Sequence, residues 1–184
     1  FTPYLWGTLS DLIITNNTAT QRGGGITIEQ SSPTLTNIII SNNIAFHYNG
    51  GSESSSGGGG ILIKDNSYVN ITNSEFSNNI ASSNGGAILI NNSQVDILNS
   101  IIINNKSGSS EMFDGITQAG YGGGVHVFYS DSVKIDNCEI MNNLAHSRGG
   151  GVHLYYSDVS IINSKINGNE VYSTSSSSGS SGAG

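Results

Sequence analysis

Asp131 and Asp158 are the two residues of this chain best suited to acid–base chemistry. Each closes a copy of one local string, His126-Val127-Phe128-Tyr129-Ser130-Asp131 and His153-Leu154-Tyr155-Tyr156-Ser157-Asp158. Two carboxyl groups at a set separation can protonate a glycosidic oxygen and activate a water, or attack the sugar directly. Stacked on neighbouring strands they would stand about 5 Å apart. Polysaccharide cleavage also calls for a cation or a basic residue beside the acids, and neither string contains Lys or Arg. A catalytic pair should also break a repeat, whereas these aspartates belong to one. The sequence is therefore read as non-enzymatic, with a polysaccharide lyase or glycoside hydrolase as the alternative.

The same strings alternate in a way that sends Val127 and Leu154 inward. His126, Phe128, His153 and Tyr155 then point outward in two short columns, with Tyr129 and Tyr156 at the following corner. Rings beside hydroxyls suit a protein partner or a sugar, so these six residues are the candidate contacts for a partner or glycan. The plainer alternative is cross-strand stacking that stiffens the sheet. Two histidines without a third ligand do not make a zinc site. No metal and no cofactor is expected.

Asn16, Asn70, Asn91 and Asn105 each open an Asn-x-Ser/Thr sequon, a possible N-glycosylation site. The single cysteine, Cys138, rules out an internal disulfide framework and occupies a position that other repeats fill with Ser, so it is expected to be a buried, inert thiol.

These residues need elements to hold them, and a repeat supplies the elements. Paired asparagines recur at Asn16-Asn17, Asn42-Asn43, Asn78-Asn79, Asn104-Asn105 and Asn142-Asn143, with an altered copy at Gly168-Asn169. The second members are spaced by 26, 36, 26, 38 and 26 residues. After each of the first five pairs comes a glycine cluster and an aliphatic residue, as in Gly58-Gly59-Gly60-Ile61 and Gly85-Gly86-Ala87-Ile88. Short runs alternate apolar and polar residues between Gly, Asn and Ser, which reads as strand. Three strands and three turns in about 26 residues make one coil of a parallel β-helix. The expected fold is all-β: a right-handed parallel β-helix solenoid of about six coils, three strands per coil. Residues 1–172 form it, with coil insertions at about 46–56 and 108–121, and residues 173–184 are a Ser/Gly-rich tail or linker.

Aligned coils stack equivalent residues into inward ladders: Leu35, Ile71, Ile97, Ile135, Ile161; Ile40, Phe76, Ile102, Ile140, Ile166; and Ile28, Ile63, Ile90, Val127, Leu154. Asn37, Asn73, Asn99, Asn137 and Asn163 also fall in register, with Asp11 in the first coil. They are read as a structural amide ladder, each side chain bonding the next. On that reading Asn99→Leu strands its neighbours and destabilises strongly. The Asn pairs mark a corner that needs the left-handed conformation. Asp96 against Lys134 and Glu139 against Lys165 are outward opposite-charge pairs one coil apart.

The third coil carries Phe76-Ser77-Asn78-Asn79, an F-x-x-N motif, and Gly85-Gly86-Ala87-Ile88, G-G-A-I. Alternating along a chain, these motifs resemble the repeats of the chlamydial polymorphic membrane proteins. Other coils match in relaxed form, with Ile40, Ile102 and Ile140 in place of Phe and Gly-Gly-Gly in place of Gly-Gly-Ala. The resemblance covers roughly residues 10–170. It implies a right-handed β-helix displayed at a cell surface, often adhesive, and it transfers no catalytic residue.

Composition agrees with an exposed, uncharged surface: 10% of residues are charged and the formal net charge is -7. Six scattered Lys and Arg form no basic patch, which excludes nucleic acid. No apolar run is long enough to cross a bilayer. The chain opens mid-pattern at Phe1 and reads as a mature or excised piece. The insertions offer Phe46, His47, Tyr48, Met112 and Phe113 as candidate loop contacts, at one edge of the rod. The reading is an extracellular or cell-surface structural or adhesive protein, a segment of a longer solenoid or fibre. Its partner is protein, including itself, or a cell-surface glycan; polysaccharide binding or cleavage is the alternative.

Overall fold

The computed structural model describes residues 6–46, 56–108 and 119–172. Within them every strand pairs in parallel with its equivalents in the coils before and after. Sheet I stacks Thr8–Ser10, Thr34–Thr36, Tyr68–Thr72, Gln94–Leu98, Ser132–Asp136 and Val159–Ile162. Sheet II stacks Ile13–Thr15, Ile39–Ser41, Glu75–Ser77, Ile101–Ile103, Glu139–Met141 and Lys165–Asn167. Sheet III stacks the two-residue strands Thr18–Ala19, Ile44–Ala45, Ile80–Ala81, Lys106–Ser107, Leu144–Ala145 and Glu170–Val171. Sheet IV stacks Ile26–Glu29, Ile61–Lys64, Ile88–Asn91, Val125–Phe128 and Val152–Tyr155. We number six coils by the asparagine pair, or its Gly168-Asn169 copy, that each contains. The chain thus forms the expected solenoid, with a fourth strand per coil added to the expected three. Sheet III was hidden because two residues are too few to show alternation.

The inward ladders are in register. Leu35 pairs Ile71, which pairs Ile97, then Ile135 and Ile161. Phe76 sits between Ile40 and Ile102. Ile63 and Ile90 continue to Val127 and Leu154. The middle members of all three ladders are fully buried, and these residues belong to one continuous core cluster. Each such aliphatic side chain contributes about 1.5–3 kcal/mol of burial, realised only when neighbouring coils cover it.

Four corners close each complete coil, and all four use a left-handed residue. The first glycine of each cluster serves one, for example Gly58 at φ 69° and Gly122 at φ 64°. The first asparagine of each pair serves another, from Asn16 at φ 59° to Asn142 at φ 53°, with Gly168 replacing it in coil 6. The expectation that the pairs mark a left-handed corner therefore holds for their first members.

The amide ladder is displaced from where the sequence reading put it. Asn37, Asn73, Asn99, Asn137 and Asn163 are exposed and have φ between 50° and 54°, so they are corner residues rather than a buried stack. Some touch along the axis, as when Asn137 Nδ2 donates to Asn99 Oδ1 at 2.7 Å, but water reaches them. The buried ladder is made by the second asparagines: Asn43, Asn79 and Asn105 are 0% exposed and Asn143 1%. In each step, the backbone N–H and the Nδ2 of one asparagine donate to the Oδ1 of the next. For Asn105 to Asn143 both distances are 2.9 Å. Nδ2 also donates backwards to a carbonyl of the preceding coil, Phe76 for Asn105 and Ile102 for Asn143. Every polar atom of the buried amide is thereby satisfied, which its position demands.

Serines do the same at two other corners. The N–H groups of Ser31, Ser67, Ser93 and Ser130 donate to the hydroxyl oxygens of Ser67, Ser93, Ser130 and Ser157 in turn. In the second serine column Cys138 replaces Ser between Ser100 and Ser164. Its thiol is buried and donates to the Ile97 and Asp136 carbonyls, and burial holds its pKa up, consistent with an inert group. Asp96 faces Lys134 and Glu139 faces Lys165 in register, but the Lys134 ammonium pairs with Asp136 at 3.0 Å instead of Asp96. Among the described residues no helix is long and apolar enough to cross a membrane.

Candidate functional site

Sheet IV and the corner leading into sheet I carry the candidate contacts. Parallel register sets His126 directly beside His153 and Phe128 beside Tyr155. Because the coil repeats, unlike strands bring like rings together. The imidazoles stack at 4.8 Å between centroids and 18° between planes, and Phe128 stacks on Tyr155 at 5.4 Å and 13°. At the corner Tyr129 stacks on Tyr156 at 5.5 Å and 21°. Edge contacts then join the columns: Tyr155 meets Tyr156 at 4.6 Å and 86°. All six candidate residues therefore form one continuous cluster of rings.

Its two halves differ in burial. Tyr129, Tyr155 and Tyr156 are 51%, 40% and 71% exposed, whereas His126 is 2% exposed. Tyr121 helps explain the burial. Its ring stacks on His153 at 5.0 Å and stands 5.9 Å from His126, with the Arg148 guanidinium 5.8 Å above it. Tyr121 is the last residue of the 108–121 insertion and is not among the contacts read from the sequence. The signal was present, since Tyr121 immediately precedes the Gly122-Gly123-Gly124 cluster, the place held by Arg22, Gly57, Asn84 and Arg148 in other coils. Those residues form bridges along the axis, including Gly57 with Asn84 and Tyr121 with Arg148.

Burial controls the electrostatics. Loss of water, then the neighbouring His153, lowers the His126 pKa to about 3, so its ring is neutral at physiological pH. His153 is lowered as well, first by burial and then by Arg148. Nδ1 of His153 and Nδ1 of His126 lie 2.9 Å apart. One nitrogen holds the hydrogen and the other accepts it. Burial and the neighbouring phenols raise the Tyr155 pKa, keeping its hydroxyl protonated. Among the described residues no group of three or more His, Cys, Asp or Glu could hold a metal ion.

Tyr129 and Tyr156 sit at φ 47° and 46°, in the left-handed region. Earlier coils fill this corner with Gln30, Asp65-Asn66 and Asn92, which also have positive φ. Asn tolerates that conformation; for a bulky ring it costs about 1–2 kcal/mol. Asp131 and Asp158 follow this corner and are exposed.

The other candidates divide. Phe46 is half-buried beyond the Ile44–Ala45 strand, while His47, Tyr48, Met112 and Phe113 lie outside the described residues, as do residues 173–184. Among the sequons, Asn16 is exposed and Asn70 and Asn91 are half-buried on strands. Asn105 is corrected: it is 0% exposed and both hydrogens of its Nδ2 are engaged in the buried ladder, which leaves no room for a glycan on the folded chain.

A family model for the right-handed β-helix region matches residues 6–119 and again residues 52–183. The chain belongs to the right-handed β-helix family. Comparison with curated proteins and with solved structures gave no match. Right-handed β-helix domains occur in surface proteins and in polysaccharide-active enzymes, so this family membership sets the fold and leaves the activity to the residues on its surface.

Proposed function

We propose that this right-handed β-helix is a rigid adhesive segment of an extracellular or cell-surface protein, and that the rings of Phe128, Tyr129, Tyr155 and Tyr156 are its contact surface. One observation carries the reading. Two tyrosines occupy a left-handed corner where earlier coils place Gln, Asp or Asn, and both remain exposed. A residue kept in a costly conformation without gaining burial is a candidate for function. Exposed rings on an otherwise Asn- and Ser-rich surface supply large contact area at low entropic cost. The F-x-x-N and G-G-A-I motifs of coil 3, the exposed sequon at Asn16 and the low charge all suit display outside the cell.

Beads coated with the chain test this on a layer of cells or extracellular matrix. Wild-type beads should be retained, and the double variant Tyr129→Asn/Tyr156→Asn should be retained at most one tenth as well. Asn suits the corner, so the fold is preserved in the control. Equal retention of both would overturn the proposal. No catalytic step is proposed for Asp131 and Asp158. Release of sugar fragments from a polysaccharide, abolished by Asp158→Ala, would replace adhesion with catalysis.

A further inference from the structure

The corner between sheets IV and I also bears a groove on coils 3 to 5, apart from the stacked rings of sheet IV. A cleft of about 160 Å3 opens between Asn66, Tyr68, Asn92, Gln94, Tyr129 and Asp131. Its floor is rigid, because the Ser67 and Ser93 hydroxyls beneath it accept from the Ser31 and Ser67 N–H groups of the serine ladder and donate to the Lys64 and Asn91 carbonyls. Its rim is not committed. The Gln94 amide has no hydrogen-bond partner among the described residues. Asn92 Nδ2 reaches Asn66 Oδ1 only at 3.4 Å, which leaves a second hydrogen on each amide for a ligand.

Aromatic rings flank these amides along the axis. Tyr68 is 41% exposed at one side of the cleft and Tyr129 51% at the other. Trp6, 70% exposed, meets the Tyr68 ring edge-on at 6.4 Å and continues the line toward coil 1. Amide groups that both donate and accept match neighbouring sugar hydroxyls, and an exposed ring matches the C–H face of a pyranose. Coils spaced by roughly 4.8 Å present this set repeatedly, on the scale of successive sugars in an extended chain.

Charge decides between sugar classes. Asp131 lines the cleft, and the nearby Lys64 ammonium is held by Glu29 at 3.0 Å and Asp65 at 2.7 Å. No cationic side chain lines the cleft, so a uronate chain would meet a carboxylate and find no counter-charge. We propose that this groove binds an extended, uncharged chain of pyranose sugars laid along the solenoid axis. This rests on the adhesive reading and names its ligand.

The test is calorimetric titration of the whole chain with hexasaccharides of β-1,4-linked glucose, mannose and N-acetylglucosamine, with hexagalacturonate as the acidic comparison. At least one neutral chain should bind. Tyr68→Ala and Gln94→Ala, both at exposed positions, should each weaken it tenfold or more without moving the thermal midpoint. No binding of any neutral chain, equal binding of the galacturonate, or full affinity in both variants would overturn the proposal. Bead retention without any glycan binding would overturn the groove and leave adhesion standing. Glycan binding without bead retention would support the groove and overturn adhesion.

Discussion

His126 and His153 share a hydrogen between Nδ1 atoms 2.9 Å apart, in rings stacked at 4.8 Å on adjacent coils. Two protonated imidazoles cannot both donate across that gap. The pair can therefore take up at most one proton without breaking the contact, and the burial of His126 opposes even that until the fold gives way.

Acid stability follows directly. The folded His126 pKa, about 3, lies below the ordinary 6.5, so between these values the unfolded chain binds more protons. The contribution is complete above pH 6.5 and falls as pH drops toward 3, by up to about 1.4 kcal/mol per pH unit. His153, also lowered, acts in the same direction. Thermal unfolding should lose about 3 kcal/mol between pH 7 and pH 4.5 through this group. His126→Leu extends the buried Leu62 and Leu89 of the same outward column, and its melting point should be much flatter over that range. Parallel pH profiles of wild type and variant would contradict the buried, neutral ring.

The two asparagine columns should respond to the same substitution with losses of very different size. Asn105→Leu removes the Oδ1 that accepts from both the buried N–H and the Nδ2 of Asn79, and it takes one donor each from Asn143 Oδ1 and from the Phe76 and Ile103 carbonyls. Each buried orphan costs about 1–3 kcal/mol, so denaturant unfolding should show a loss of several kcal/mol or no folded protein. Asn99→Leu, at an exposed corner, should cost only about 1–2 kcal/mol, mostly through its left-handed backbone.

Glycine positions within one cluster separate just as sharply. A Cβ on Gly59 would strike the Gly86 carbonyl oxygen and the Ile80 backbone. On Gly60 it would meet the Ala87 oxygen at 2.9 Å and the Ile40 Cγ2 at 3.1 Å, and the next glycine cluster along the chain already carries Ala87 at the equivalent place. Gly60→Ala should leave a folded protein with a modestly lowered melting point. Gly59→Ala should abolish cooperative unfolding.

In a secretory eukaryotic host, folded protein should carry glycan at Asn16 and none at Asn105. Peptide mass mapping after glycosidase treatment checks both sites. Folded, monomeric protein with Asn105 modified would refute the buried ladder.

Legibility in the sequence followed chemistry that only one position can satisfy. Inward Ile, Leu and Val columns read correctly because a slipped register would put every one in water. The asparagine columns shared the same spacing and residue type, so periodicity alone could not say which faced inward. Asp11 carried the answer: a column that admits a carboxylate in coil 1 is a solvated corner, and the structure finds it exposed. The outward ring columns were legible from alternation. The burial of His126, the stacking of Tyr121 and the groove amides Asn66, Asn92 and Gln94 were not, since each depends on which side chains meet across a corner.

The buried asparagines all face one way. Every Oδ1 looks back toward the coil before it, and every Nδ2 offers a hydrogen to the coil after. Aligned amide dipoles add along the stack as peptide dipoles add along a helix, giving the rod an electrically positive pole on the side of coil 6. Turns docked in reverse order would set hydrogen against hydrogen at the centre of the core. Growth of such a stack, whether within one molecule or between molecules, is thus constrained to a single polarity.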